Sequence, residues 1–162
     1  MVDVNILSGI GLFEDLGPDS LKNLAEFIKE KRYYEGDTIF KQGDSGNELY
    51  ILKEGECEVQ VDIGTDRKLS VQMMEPGTIF GELSFIDGKE RTGTVICKKD
   101  AKVLILKRED FNKFMQKDKE GGAKLAMKIA YMVAEKLRET DKKFREYYLK
   151  ATISMLKGIG VL

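Results

Sequence analysis

The sequence contains no histidine. Histidine is the commonest metal ligand and the usual general base near neutral pH. Its absence removes Ser-His-Asp and Cys-His catalysis and argues against most zinc and iron sites. Carboxylate-only chemistry would need two acids placed in one cleft, and no pattern here singles out such a pair. A basic excess is also missing: 27 basic and 28 acidic residues leave a net charge of -1, unlike the usual nucleic-acid binder. Long apolar runs are missing too. The longest, such as Val103-Leu104-Ile105-Leu106, are far too short to span a bilayer. The N-terminus, Met1-Val2-Asp3-Val4-Asn5, lacks the positive region that opens a secretory signal. Cysteine is scarce. Cys57 and Cys97 have no metal-like or redox spacing and lie in apolar, strand-like segments. They read as buried free thiols in a reducing, cytoplasmic setting.

What is present describes a globular chain of 162 residues, 42% apolar and 34% charged, with room for one domain and an appended element. To about residue 30 the pattern is helical. Gly17-Pro18 marks a turn, and Leu21, Leu24, Ala25 and Ile28 share one apolar face. Ile6-Leu7 and Leu12-Phe13 read as short turns packed on the downstream chain. From roughly 31 to 107 glycine-rich turns separate short β-prone runs. Cys57 to Ile63 alternates as a half-buried strand should, and Glu54, Glu56 and Glu58 read as the outer face of their strands. Many short strands suggest a sandwich, jelly roll or barrel. An internal echo, Gly36-Asp37-Thr38-Ile39-Phe40 against Gly77-Thr78-Ile79-Phe80, suits a two-part roll.

Beyond residue 107 the chain turns helical again. Phe111, Phe114 and Met115 mark one short amphipathic helix, and Gly121-Gly122 is expected to interrupt it. A longer helix comes next, in which Ala126, Ala130, Val133, Leu137, Thr140, Phe144, Tyr147 and Ala151 form a heptad seam. That seam could lie against the chain's own barrel, but it outruns what one small barrel covers, which favours a parallel dimer. The expected division is therefore 1–120, a β-roll with flanking helices, and 121–162, a lid and dimer helix with an unassigned tail.

The most informative stretch runs from Phe80 to Val95. It reads as a strand end, a glycine turn at Gly81, one helical turn, a loop and a new strand. The helix start offers unpaired N–H groups to an anion. Arg91 adds a fork of donors suited to phosphate oxygens, Thr92 a hydroxyl, and Glu82 an acceptor for sugar hydroxyls. Those groups together fit a ligand that combines phosphate with ribose. By themselves Glu82 and Arg91 would fit an exposed ion pair worth ~0–1 kcal/mol equally well, and Val59, Val71, Met74 and Leu83 would serve as plain core.

This stretch resembles the phosphate-binding cassette of the cyclic nucleotide-binding domain family, whose core reads Gly-Glu-Leu-(small)-…-Arg-(small or Thr)-Ala. The resemblance extends to Phe40-Lys41-Gln42-Gly43-Asp44, to Leu49-Tyr50-Ile51-Leu52-Lys53-Glu54-Gly55 and to the flanking helices. It implies a mainly β fold, a double-stranded β-helix or jelly roll with N-terminal helices and a C-terminal lid helix that often dimerises. It implies that Glu82 bonds the ribose 2′-hydroxyl and Arg91 the cyclic phosphate. The Ser84 amide and Thr92 hydroxyl would also reach phosphate oxygens, and Val59, Val71, Met74 and Leu83 would wall the ribose and base.

Three departures stand out. Glu90 replaces the proline that often precedes the arginine, Gly93 replaces an alanine, and Thr92 is compatible with both cAMP and cGMP. The segment Leu137-Arg138-Glu139-Thr140-Asp141 resembles the lid helix of bacterial cAMP-receptor activators, which favours cAMP and places Thr140 against adenine. Asp141 stands where those activators carry a serine that reaches the partner's ligand. The implied protein is a non-enzymatic cAMP sensor without a metal, DNA-binding module or membrane span, acting as a homodimer on an unknown protein effector. The competing classes are a cGMP receptor, a degenerate roll serving as an interaction module, and a cupin-like metal enzyme, the last disfavoured by the missing histidines.

Overall fold

The computed structural model describes residues 2–64 and 67–158, so the end of the unassigned tail, 159–162, lies outside the described residues. The N-terminal third opens with a short helix α1 (Val4–Ser8), capped by Asp3, and a 3-10 turn at Gly11–Phe13. Helix α2 (Pro18–Ala25) comes next, with Pro18 at its first position and Leu21, Leu24 and Ala25 buried, as the periodicity predicts. Eight strands succeed it: β1 (Lys29–Tyr33), β2 (Thr38–Phe40), β3 (Glu48–Glu54), β4 (Cys57–Asp62), β5 (Lys68–Met74), β6 (Ile79–Phe80), β7 (Thr94–Cys97) and β8 (Ala101–Lys107). A single short helix α3 (Glu82–Asp87) interrupts them after β6, and α4 (Arg108–Lys117) and α5 (Lys119–Gly158) close the described chain.

The strands form two antiparallel four-stranded sheets, ordered β1-β8-β3-β6 and β2-β7-β4-β5. This is the expected β-roll. The echoed segments lead into β2 and β6, one in each sheet, and each contains a glycine at positive φ, Gly36 or Gly77.

Two apolar clusters explain the strand patterns. Leu49, Ile51, Leu104 and Leu106 face the helices and pack with Leu7, Phe13, Leu24 and Phe114. Tyr50, Leu52, Val103, Phe80 and Val95 point into the roll. The strands β3 and β8 of the first sheet are thus covered on both faces, which is why β8 reads as an unbroken apolar run. The second sheet turns one face outward. Glu58 lies there as expected, but it is only 8% exposed. Gln60 Nε2 donates to its carboxylate at 2.7 Å and Lys98 lies 3.5 Å away. Bonding from Ser70 and Gln60 holds its carboxyl below the usual range.

One expectation is corrected. Gly121-Gly122 does not interrupt a helix; α4 ends at Lys117, and α5 runs unbroken through both glycines for 40 residues. The break falls at Asp118, whose φ of -137° leaves the helical region. Its amide still closes α4 on the Phe114 carbonyl, while its Oδ1 accepts the Gly121 amide at 2.8 Å and so caps α5. The glycines serve close packing instead. A Cβ on Gly122 would sit 2.5 Å from Met115 Cγ, and one on Gly121 would sit 2.7 Å from Ser20 Oγ.

Hydrogen bonding from Ser20 and the Gly121 amide lowers the Asp118 pKa below the ordinary carboxylate value. A depressed folded-state pKa contributes stability above the unfolded value, and that stability is lost as pH falls through the folded one. Asp118→Ala is expected to cost about 0.5–2 kcal/mol at neutral pH. The deficit relative to wild type should shrink as urea midpoints are measured at progressively more acid pH. A deficit independent of pH would show that the cap does not depend on charge.

Candidate functional site

The roll leaves a cavity of about 660 Å³, counted out to its open mouth. Its apolar floor comes from Phe40, Val59, Met74, Phe80 and Val95, and its polar rim from α3, the loop before β7 and one residue of α5. Gly81 begins α3 with φ +75°. Glycine is required there twice over. The conformation is left-handed, and a Cβ would lie 2.7 Å from Arg91 Nη1 and 3.0 Å from the Glu48 carbonyl oxygen.

Arg91 is the most constrained group of the site. It is 3% exposed. Its Nη1 donates to the carbonyls of Glu48 and Gly81, both at 3.0 Å, and its Nη2 donates to Glu48 Oε2 at 2.9 Å. The guanidinium carbon lies 4.4 Å from the centre of the Phe40 ring and 5.3 Å from that of Tyr50, a favourable cation–π arrangement. Gly46 allows this placement, since a Cβ there would fall 2.2 Å from Arg91 Nε. The backbone is pinned as well: the Arg91 amide donates to Asp44 and its carbonyl accepts from Gly43. Burial, with the Glu48 carboxylate nearby, pushes the Tyr50 phenol up to about 12, so it stays neutral beside the guanidinium.

Among the described residues, Arg91 Nε is buried without a hydrogen-bond partner. Leaving a charged donor unsatisfied costs more than an ordinary unmade bond. An unmatched N–H on a cation that lines a cavity fits an anionic ligand.

Glu82, at the first position of α3, is 8% exposed. Its Oε1 lies 3.1 Å from Lys136 Nζ, which also donates to the Ile79 carbonyl at 2.8 Å. Lys136 therefore reaches down from α5 into the cavity. The Ser84 hydroxyl, 2% exposed as a residue, donates to the Glu90 carbonyl at 3.2 Å and ties α3 to the arginine loop. Leu83 and Thr92 line the mouth.

The structure thus gathers Gly81, Glu82, Leu83, Ser84, Arg91, Thr92, Val59 and Met74 around one cavity. It does not gather Val71 or Thr140. Val71 is 49% exposed. The β4–β5 register shifts between Val59 and Gln60, pairing Val59 with Gln72 and Gln60 with Ser70. Gln72 shares the cavity face with Met74, two residues on, so alternation turns Val71 outward, and the bulge leaves it unpaired as well. Thr140 is exposed, and its hydroxyl donates to the Lys136 carbonyl at 2.8 Å. Lys136, one turn earlier on the same helix face, takes the place by the cavity. The sequence pattern does not single it out, although a residue four before the expected lid contact shares its face. Gly93 also has a packing reason, for a Cβ there would lie 3.1 Å from Val59 Cγ1 and 3.2 Å from the Gln60 carbonyl oxygen.

Comparison with known proteins bears on this geometry. Residues 30–118 match the model of the cyclic nucleotide-binding domain. The chain belongs to that family. It is 28% identical to the cyclic AMP receptor protein of Thermus thermophilus over 96% of this chain and 74% of that protein. It is 29% identical to the cAMP-dependent protein kinase regulatory subunit of Colletotrichum orbiculare, over 68% of this chain but only 28% of that one. Among solved structures it is similar to the Thermus thermophilus catabolite activator protein, with a TM-score of 0.75 and 28% identity over 85% of this chain and 62% of that one. The family's domain is a ligand-binding sensor rather than a catalytic unit. Among the described residues no cluster of three or more His, Cys, Asp or Glu could hold a metal ion, and no helix is long and apolar enough to cross a membrane.

Two glycine substitutions test the Arg91 seat. Gly77 has φ +92° but open space around its Cβ position, whereas Gly81 has φ +75° and the guanidinium close by. Gly77→Ala should cost roughly 1–2 kcal/mol, the left-handed penalty alone. Gly81→Ala should cost clearly more in urea denaturation. Equal costs would mean that Arg91 is not held against Gly81.

Proposed function

We propose that the cavity binds a cyclic nucleoside monophosphate, cAMP in preference to cGMP, and that the protein works as a signalling sensor through the position of α5. The observation that carries this reading is the buried Arg91, which lines the cavity and is braced by Glu48 and Gly81 with its Nε left unmatched. A cyclic phosphate would supply the missing acceptor, assisted by the Ser84 amide and the Thr92 hydroxyl. The ribose 2′-hydroxyl would bond Glu82, and Val59, Met74 and Leu83 would flank sugar and base. Thr140, exposed and bonded to its own helix here, would meet adenine only after α5 moves.

Lys136 gives that movement a handle. It holds Glu82 Oε1 and the Ile79 carbonyl, so α5 is fastened at this turn to the group that would receive the ribose. A ligand that claims Glu82 competes with that attachment. Ligand can shift α5 only through such a difference in affinity between the two positions. The preference for cAMP is supported by the names of the Thermus receptor and of the kinase regulatory subunit, and by the lid segment around Thr140.

The same helix supports a homodimer. Leu137, Phe144 and Tyr147 of the seam are 61%, 70% and 78% exposed. With those residues at the core positions, the flank just before each first seam position is Lys136, Lys143 and Lys150, and the opposite flank holds Ala134, Asp141 and Tyr148. A parallel pair sets one flank against the other, whereas an antiparallel pair sets lysines against lysines. The parallel arrangement is therefore favoured, with Lys136 facing Asp141 across it. The effector that reads α5 would be a protein. A degenerate roll acting purely as an interaction module is the second reading, favoured by Lys136 already occupying Glu82.

Thermal unfolding with saturating cAMP, cGMP and 5′-AMP decides between these. Ligand at a hundred times its dissociation constant adds about 2.7 kcal/mol, a shift of roughly 5–10 °C for this size. We expect cAMP to give the largest shift and 5′-AMP none; no shift from nucleotide-free protein with any of them points to the interaction module. Arg91→Ala should weaken binding about ten- to a hundredfold or more. Glu82→Ala should weaken it less for ligands without a 2′-hydroxyl.

Leu137→Asp should turn dimers into monomers in sedimentation experiments while leaving the roll's unfolding transition in place. Wild-type protein that stays monomeric at every concentration would sink the dimer.

A further inference from the structure

The two cysteines lie 40 residues apart in sequence, yet the roll sets them face to face. Cys57 of β4 and Cys97 of β7 are direct cross-strand partners, with their sulfurs 3.7 Å apart and their residues 0% and 1% exposed. Both are free thiols. The backbone of Cys97 bonds away from Cys57: its amide donates to the Asp37 carbonyl and its carbonyl accepts from the Gly36 amide. Cys57 and Cys97 are therefore a non-hydrogen-bonded pair, the closer of the two antiparallel pairings, with Cα atoms about 4.5 Å apart. That falls within the span a disulfide bridges without backbone rearrangement, about 4.4–6.8 Å.

We propose that Cys57 and Cys97 form an oxidation site, closing an intramolecular disulfide that staples the second sheet behind the cavity when the protein meets a hydroperoxide. The position gives the staple meaning. Val59 and Val95, two residues along the same strands, line the cavity, and Met74, paired with Cys57 on the other side of β4, lines it too. The closed bond would tie together the two strands that carry the cavity floor.

The chemistry balances with a hydroperoxide as the named oxidant. One thiolate attacks a peroxide oxygen, the O–O bond breaks, and the departing oxygen leaves as water or alcohol. The resulting sulfenic acid is attacked by the second thiol, an S–S bond forms, and the S–O bond breaks with loss of water. Two electrons pass from the sulfurs to the peroxide. Cys97 is the better first nucleophile, because its sulfur accepts the Cys57 S–H. Burial raises both thiols, Cys57 to about 12, so the reaction should be slow and should follow local opening of the roll. Such a pair stays reduced under brief exposure and records a sustained one.

The test treats reduced full-length protein with excess hydrogen peroxide, quenches with an alkylating agent under denaturing conditions, and reads intact mass and peptide maps. The expected product is monomeric, lighter by two hydrogen atoms, blocked to alkylation, linked between the peptides of Cys57 and Cys97, and restored by dithiothreitol. Cys57→Ser and Cys97→Ser should each accumulate oxygen adducts without that link. The oxidised wild type should unfold several degrees higher than the reduced form, because the link closes a long loop in the unfolded chain. Thiols that stay alkylatable after prolonged exposure would overturn the proposal. So would intermolecular dimers, oxygen adducts on the wild type, or an unchanged or lower unfolding temperature. None of these readouts depends on whether a nucleotide binds.

Discussion

Almost everything else in the molecule answers to the need to keep a guanidinium in a dry place. Arg91 is withdrawn from water between two aromatic rings and a carboxylate, and a buried charge is tolerated only when its partners are nearly complete. Glu48 supplies both a carbonyl and a carboxylate oxygen, Gly81 supplies a second carbonyl, and Phe40 and Tyr50 supply their ring faces. Gly46 and Gly81 supply something different, which is absence of volume. One donor, Nε, is left over among the described residues, on a side chain that lines the cavity. A site with most of its cost already met by the protein leaves a ligand to complete a nearly finished network, the arrangement expected of preorganised anion recognition.

The second constraint is how the site is fastened to the C-terminal helices. The helix α5 is 40 residues long, about 60 Å at 1.5 Å per residue. Leu125 and Ile129 are buried against the body, and past Lys136 the helix stands largely in water. Among the described residues Lys136 is its last firm hold on the roll. Arg108 makes a comparable link at the other end of the cassette, donating to the Phe85 and Ser84 carbonyls at 2.7 Å from the start of α4. The short helix α3 is thereby fastened to both C-terminal helices, so a displacement of α3 acts on them directly rather than through the sheets.

How much of this was legible depended on whether the determining contacts are close in sequence. The cassette from Phe80 to Val95 was readable because its turn glycine, helix start and arginine are set by local spacing. The strand-and-turn rhythm of the roll was readable for the same reason, and so was the apolar face of α2. Val71 misled because its apolar character outweighed strand alternation, which sets it on the face opposite Met74 and gives the cavity Gln72 instead. Gly121-Gly122 misled because helix propensity speaks of exposed helices, whereas these glycines are selected by contact with Met115 and Ser20. Glu58 misled in a milder way, since its strand face was right and its burial came from Ser70, Gln60 and Lys98 gathering over it.

The sequence by itself determined the fold class, through its strand-and-turn rhythm, and the family, through the resemblance carried by Phe80 to Val95. It also excluded histidine-based chemistry outright. Only the tertiary structure decided what neutralises Arg91, which side chain of β5 faces the cavity, that Lys136 rather than Thr140 stands over Glu82, and that the two thiols oppose each other. Those are all contacts between elements remote in sequence, and they depend on strand register and on the volume left by neighbours. Neither quantity is a property of any one segment; both arise only when the sheets close into a roll.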